Sequence, residues 1–405
     1  MKTMLAFEDA LEEILSALSP LPAETVPLAD ATGLVLAADV TADIDMPPFD
    51  RSAVDGYALA GGSGRYELVG VTSAGEEASG HLDAGEAVAI STGAPVPPGA
   101  DRILMIEQSS SEGTSVLARR VPGEGEGICR KAEDIRRGDQ VLRAGITLTP
   151  WRCGIAAMAG AASVSVFRKP LVALLTTGAE VVPFETRPGP SQVRNANLPM
   201  LGALVSSCGF NVCGSIHVRD DLAESARAVS ALLSKADALI VAGGISMGDR
   251  DYVAPALQAA GVEFAIRDVA IKPGKPFAFG VRGRKAVFAL PGNPVSVLCT
   301  FEELALPGLR RLSGFRELRR ARLPGAALFR HSQKPGRTNL LRVRAFLDDS
   351  GWQLEMPASS GSGDLMSTRD ANAIAIVPRE DTSVEPGRIL HFSFFASSGC
   401  SPCFE

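Results

Sequence analysis

The 405-residue chain is 46% hydrophobic and 21% charged, with 40 Lys and Arg against 46 Asp and Glu for a net charge of −6. That composition excludes a disordered chain and predicts about two to four globular domains, each able to bury a core. It also excludes a surface organised around nucleic acid, because no basic surplus exists and aromatic residues make up only 5%.

The first residues pass from Met1-Lys2-Thr3-Met4 to Glu8, Asp9, Glu12 and Glu13, without the basic-then-apolar order of a secretory signal, so a cytoplasmic location is expected. No run of about 18 apolar residues exists, so neither a membrane span nor a membrane partner is expected. Phe7, Leu11, Ile14, Leu15 and Leu18 fall at helical spacing, and Pro20 and Pro22 end the run, which predicts an amphipathic helix. From Thr41 to about Arg143 short β-prone runs are cut by Gly61-Gly62, Pro95, Pro97-Pro98 and the Gly123 to Gly127 cluster, the texture of a small β-rich domain. The Ala-rich stretch from Trp151 predicts a helix packed through small residues, followed by a β run to Phe167.

From Leu171 the texture becomes βαβ, which predicts an α/β domain with a mostly parallel sheet. Strands are expected at Leu171 to Leu175, near Asn211 to Ile216, at Ala238 to Ala242 and at Ala286 to Leu290. Helices are expected over about Leu198 to Cys208, Leu222 to Lys235 and Val295 to Leu312. After Gly314 the basic run Arg316 to Arg322 leads into alternating segments, Leu340 to Phe346, Trp352 to Met356, Ala373 to Val377 and Ile389 to Phe395, which predict a small C-terminal β barrel. The seven cysteines (129, 153, 208, 213, 299, 400 and 403) are too scattered for a disulfide framework, and the Cys400/Cys403 pair lies in a Ser/Gly/Pro tail, 397–405, expected to be mobile.

Ligands of an open parallel sheet bind beyond the carboxyl ends of its strands, which directs attention to four loops. Thr176-Thr177-Gly178-Ala179-Glu180 offers hydroxyls, backbone N–H groups and a carboxylate after a buried strand, suited to a phosphate, although a plain strand-to-helix turn has the same composition. In Gly243-Gly244-Ile245-Ser246-Met247-Gly248-Asp249-Arg250-Asp251 the glycines allow close backbone approach, and Ser246, Asp249 and Asp251 supply oxygen donors. Lys272-Pro273-Gly274-Lys275-Pro276 sets two cations three residues apart on a stiffened chain, ready to face an anion. Leu290-Pro291-Gly292-Asn293-Pro294-Val295-Ser296 brings a helix start to the same edge.

With those loops in view, the sequence resembles the MoeA family of molybdopterin molybdenumtransferases, which includes the E domain of gephyrin. The resemblance rests on DRSAVDGYA (50–58), STGAPVPPGAD (91–101), KAEDIRRGD (131–139), TTGAEV (176–181), GGISMGDRDY (243–252), KPGKPFAFG (272–280) and LPGNPVS (290–296). It implies a homodimer with an elongated dimerisation part (1–45 and 138–170), a β-rich lid (46–137), a molybdopterin-binding α/β domain (171–313) and a C-terminal β barrel (314–396). It further implies a transferase that places molybdate on adenylylated molybdopterin and releases AMP with the aid of Mg²⁺, supplied by a molybdopterin adenylyltransferase acting upstream.

Carried onto this chain, the resemblance implies that Asp55, Glu180, Asp220, Asp251, Lys272 and Lys275 are the catalytic residues, with Glu180, Asp220 and Asp251 holding the metal. Substrate would be bound by Thr176, Thr177, Gly178, Asn197, Gly243, Gly244, Ser246 and Gly248, by Pro291, Gly292, Asn293, Pro294 and Ser296, and by Arg342 and Ser362 of the barrel. The lid would add Thr92, Arg130, Glu133 and Asp134, with Asp55 and Thr92 closing over the pocket across the dimer. The chain departs from the usual family pattern at Ala179 (an Asp), Ala132 (a Gly), Asn195-Ala196-Asn197 (Asp-Ser/Thr-Asn) and Asp268 (often Lys). Two other readings of the same residues stay open: a non-catalytic scaffold that clusters partner proteins, and a Mg²⁺-dependent nucleotide phosphohydrolase.

Overall fold

Lys2–Leu5 (β1) and Phe7–Ala17 (α1) open the chain in a computed structural model that describes residues 1–78, 80–245 and 252–396. Phe7, Ala10, Leu11 and Ile14 share one buried face of α1, and Glu8 and Asp9 stand in its first turn, where the helix dipole favours acids. That face enters the same core as Ile240, Phe288 and Leu309, and β1 pairs in parallel with Glu263–Val269. Residues 2–21 thus pack with the α/β body, whereas the sequence grouped them with the elongated part. An amphipathic stripe demands an apolar partner but does not say which one.

The elongated unit is assembled from two distant segments. Ala23–Pro27 pairs with Ser163–Phe167, and Val40–Thr41 with Gln140–Leu142, both antiparallel. Leu36, Leu148, Ala156, Ala159 and Val166 are buried between them, and Thr149 Oγ1 caps Pro150–Met158 (α2) by accepting from the Arg152 N–H. Between these segments, strands from Gly56–Leu59 to Ser115–Ala118 form a six-stranded sheet around Leu59, Tyr66 and Leu104.

The main sheet is built from β1 and six further strands: Leu171–Thr177 (β2), Asn211–Val218 (β3), Ala238–Ala242 (β4), Glu263–Val269 (β5), Ala278–Arg282 (β6) and Lys285–Leu290 (β7), in the order β1-β5-β6-β7-β4-β2-β3. Among the described strands of this sheet only β6 runs antiparallel to its neighbours. β2 and β4 are almost wholly buried, as expected of strands covered on both faces by helices. The covering helices are Asn197–Ser207 (α3), Leu222–Lys235 (α4), Val253–Ala259 (α5), Pro294–Thr300 (α6) and Leu306–Leu312 (α7). Asp221 caps α4 by accepting from the Glu224 N–H at 2.7 Å. The expected helix 295–312 is α6 and α7 joined by one π turn, Phe301–Ala305.

Leu323–Ala327 (β8), Thr338–Asp348 (β9), Gly351–Glu355 (β10), Ala373–Val377 (β11) and Ile389–Phe394 (β12) form the expected barrel, closed by pairing of β9 with both β10 and β11. Ile271–Lys272 extends β9 in parallel, Lys272 opposite Asn339, and so ties the α/β domain to the barrel beside the two lysines. No helix among the described residues is long and apolar enough to cross a membrane.

Candidate functional site

β3 lies on one side of β2 and β4 on the other, so the chain connections diverge above the carboxyl ends of β2 and β4. A crevice of about 430 Å³ opens at that point, lined by Thr176, Thr177, Gly178, Glu180, Asn197, Asp220, Gly243, Gly244, Gly292, Asn293 and Pro294. Gly243 and Gly244 have φ of 99° and 61°, and a Cβ on them would stand 2.9 Å from the Thr177 carbonyl oxygen and 2.8 Å from Thr177 Oγ1 respectively. Only glycine fits there, which brings bare backbone to the crevice wall. Asn195 braces that wall. Its Oδ1 accepts from the Leu198 N–H, its Nδ2 donates to Thr176 Oγ1 at 2.8 Å, and Thr176 Oγ1 is hydrogen-bonded in turn to His217 Nδ1 at 3.0 Å.

Asp220 Oδ2 accepts from the Ala179 N–H at 3.1 Å, which fixes the β2 turn to the end of β3 with Glu180 alongside. Thr177 Oγ1 and Asn197 Oδ1 are buried without a hydrogen-bond partner among the described residues. Buried polar atoms of this kind are normally satisfied, so these two mark a place where a ligand completes the wall. The Glu180 and Asp220 carboxylates, the Thr177 hydroxyl and the Asn197 amide oxygen that line the crevice are hard oxygen donors, the type Mg²⁺ takes. No group of three His, Cys, Asp or Glu with metal-ligand geometry occurs among the described residues. Asp251, with Ser246 and Gly248, lies outside them.

A second pocket of about 650 Å³ lies between the 271–276 loop, the start of α6 and the barrel. Lys272, Lys275, Arg337, Arg342 and His331 line it, and no acid does so among the described residues. In a protein of net charge −6 this is a concentrated cationic surface. The Val269 and Phe277 N–H groups both donate to the Lys275 carbonyl, at 3.0 and 2.8 Å, so the loop is closed on itself. Gly274, at φ 113°, passes so near α6 that a Cβ would meet Thr300 Cγ2 at 2.5 Å. Arg342 Nη2 donates to Ser359 Oγ at 2.7 Å, while its Nε is buried without a partner among the described residues. Burial, then the charge of Lys272, holds the His331 imidazole below its ordinary value.

The two pockets are contiguous, since Gly292 and Asn293 line both. Asn197 Nδ2 donates to the Gly292 carbonyl at 2.7 Å, and Asn293 Nδ2 to Ser362 Oγ at 2.8 Å, so the shared wall is held from both domains. Pro291, Ser296 and Ser362 face the second pocket. The residues that the resemblance assigned to a lid stand apart. Asp55 Oδ1 accepts from the Thr92 N–H at 2.8 Å, Arg130 pairs with Asp50 at 2.7 Å, Glu133 accepts from the Arg130 N–H, and Asp134 donates its N–H to the Met46 carbonyl. Burial opposes ionisation of Asp50, but the Lys131 N–H and Arg130 hold its carboxyl below the usual range. None of Asp55, Thr92, Arg130, Glu133 or Asp134 lines either pocket of its own chain. His331, Arg337, Asn339 and Ser359 do line the second pocket, and nothing in the spacing of the sequence singled them out.

Three family models match the chain in order: the MoeA N-terminal region (domains I and II) over residues 5–160, a probable molybdopterin binding domain over 173–311, and the MoeA C-terminal region (domain IV) over 324–395. The chain is similar to a molybdopterin molybdenumtransferase of Staphylococcus aureus, 29% identical over 392 residues, covering 95% of this chain and 94% of that one. Its similarity to the Staphylococcus epidermidis molybdopterin molybdenumtransferase is 29% over 399 residues, 96% of this chain and 95% of the relative. Among solved structures, the molybdopterin biosynthesis MoeA protein of a Pyrococcus superposes with a TM-score of 0.82 at 29% identity, over 97% of this chain and 99% of that one.

Proposed function

The chain belongs to the MoeA family, and from that premise we propose that it is a molybdopterin molybdenumtransferase, which inserts molybdate into adenylylated molybdopterin and releases AMP. The observation that carries this reading is the pair of contiguous pockets, one with carboxylates and orphaned oxygens, the other cationic and free of acids among the described residues. A phosphate group held through a divalent cation on the carboxylates and a tetrahedral metal oxyanion held by fixed cations would use two such environments side by side.

In this reading Gly243 and Gly244 let the phosphates of the adenylylated substrate approach the bare backbone, and Thr177 Oγ1 donates to a phosphate oxygen, while Asn197 Oδ1, an acceptor, faces a substrate donor or the metal ion. Lys272, Lys275 and Arg342 hold molybdate in the adjoining pocket, positioned against the dithiolene across the Gly292–Asn293 wall. Glu180 and Asp220, with Asp251 from the neighbouring loop, would hold Mg²⁺, which when bound supplies charge stabilisation at a phosphate oxygen. A second copy of the chain supplies the lid, so that Asp55 and Thr92 of one subunit cover the pockets of the other and exclude water. A cytoplasmic adenylyltransferase acting on molybdopterin is the upstream partner.

Purified protein given adenylylated molybdopterin and Mg²⁺ is expected to release AMP only when molybdate is added. Lys275→Ala should lower that release about 100-fold or more, the scale expected when a charge-stabilising donor is removed. AMP release that ignores molybdate, or an unimpaired Lys275→Ala protein, would overturn the reading.

A further inference from the structure

His331 is the one histidine among the described lining residues of the cationic pocket, and histidine is the side chain whose ordinary titration falls in the neutral range. Its backbone is fixed. His331–Ser332 pairs antiparallel with Ser383–Val384, the Gln333 N–H donates to the Thr382 carbonyl at 2.9 Å, and Gln333 Nε2 donates to the carbonyls of Pro378 and Asp381 at 2.8 Å each. The main chain that carries the ring is therefore fixed in the wall, and the ring's Nε2 is buried without a partner among the described residues.

The groups that face this wall are all cations: Lys272 and Lys275 from the 271–276 loop, Arg337 from the connection before β9, and Arg342 from β9. No carboxylate among the described lining residues stands ready to stabilise an imidazolium, and the ring is accordingly held neutral by burial and by Lys272. A bound dianion reverses both conditions. It gives the orphaned nitrogen an acceptor and supplies the missing counter-charge.

We infer that His331 is an oxyanion ligand of the cationic pocket and binds its anion together with one proton from solvent. The inference rests on the proposed reading of that pocket as the molybdate site and adds to it a specificity for oxyanions that carry two negative charges, because only these repay protonation among four cations. The balance is one anion and up to one solvent proton taken up per site, with no bond broken.

Calorimetric titration of the intact protein with molybdate, in two buffers of different ionisation enthalpy, counts the proton directly on the unmodified chain. Molybdate stays a dianion between about pH 6.5 and 8.5, so any uptake belongs to the protein. With a one-unit rise in the histidine pKa, the wild-type protein is expected to take up about half a proton per anion at the pH midway between the free and bound values and almost none at the upper end, and to bind about three- to fivefold more tightly at the lower end. His331→Gln should bind with the wild-type high-pH affinity at both ends and take up no proton. His331→Asn provides the same comparison should the first variant melt early. Molybdate binding without proton uptake in the wild type at that midway pH, or uptake unchanged in either folded variant, overturns the inference while leaving the pocket reading intact. Absence of molybdate binding at both ends overturns the two together.

Discussion

Ala132 holds φ at 61°, in the left-handed region where an L side chain is strained, at the position where the family usually has glycine. The strain costs about 1–2 kcal/mol, and the extra freedom glycine would have in the unfolded chain offsets about 0.5–1 kcal/mol of the relief. Relief wins. Ala132→Gly is therefore expected to stabilise the protein by about 0.5–1 kcal/mol, read as a higher urea midpoint at unchanged slope, and its N–H bond to the Pro47 carbonyl at 2.9 Å should survive. Unchanged or lower stability would show that the turn is held for another reason. Asp268 has the same backbone angle, 62°, but aspartate tolerates that region better, so no such gain is expected there. Single residues were legible in the sequence where residue type and spacing alone force a conclusion. Gly243-Gly244 spelled out close backbone approach, and the spaced Lys272 and Lys275 spelled out fixed charge. His331 and Arg337 did not stand out, because a histidine and an arginine between barrel strands look like any solvated loop residues until the fold turns them towards Lys272.

The π turn between α6 and α7 makes a second tie between the α/β domain and the barrel, beside the pairing of Ile271–Lys272 with β9. It carries Glu302 and Glu303 side by side into the interior, where Arg320, 8% exposed, reaches both and also donates to the Phe394 carbonyl. Burial is the largest influence on Glu302 and raises its pKa. Arg320→Met strands two buried carboxylates and should cost about 3–5 kcal/mol. Glu302→Gln leaves Arg320 its pair with Glu303, so it should change stability by only about 1 kcal/mol. The pH dependence has a definite sign. A carboxyl raised in the folded state binds its proton there first, so wild-type stability falls as pH rises from the ordinary glutamate value through the folded Glu302 value, and Glu302→Gln flattens that fall. Urea titrations across that window decide it, and equal losses in the two variants would sink the account. β2, β4, β7 and α4 were readable from the sequence because continuous apolar runs and helical periodicity leave few alternatives. β5 and β6 were not, since Glu263–Val269 mixes exposure without a clean alternation. The strands Ile271–Lys272 and His331–Ser332 are two residues long, below the length at which any period exists.

At the scale of the molecule, the α/β class, the parallel sheet and the closing barrel were legible because each has its own period, and the switch point between β2 and β4 follows once the strand order is known. The assignment of β1 and α1 to the main sheet was not legible, because it depends on a pairing across more than 250 residues of chain. The distance between the lid and the pockets has a consequence for assembly. Every described lining residue of both pockets falls between Thr176 and Gly363, while Asp55 and Thr92 stay bonded to each other and exposed in the lid. If a second copy provides the cover, a lid defect and a pocket defect in different subunits must complement. Asp55→Ala and Lys275→Ala, each inactive alone, are expected to regain activity when unfolded and refolded together at equal amounts. A mixed dimer pairs the intact lid of one subunit with the intact pocket of the other at one site and both lesions at the second, and half of all dimers are mixed, so about a quarter of wild-type AMP release should return under closed two-fold symmetry. A lid that closed on its own subunit would leave both sites of the mixed dimer broken, and the mixture would stay as inactive as its parents.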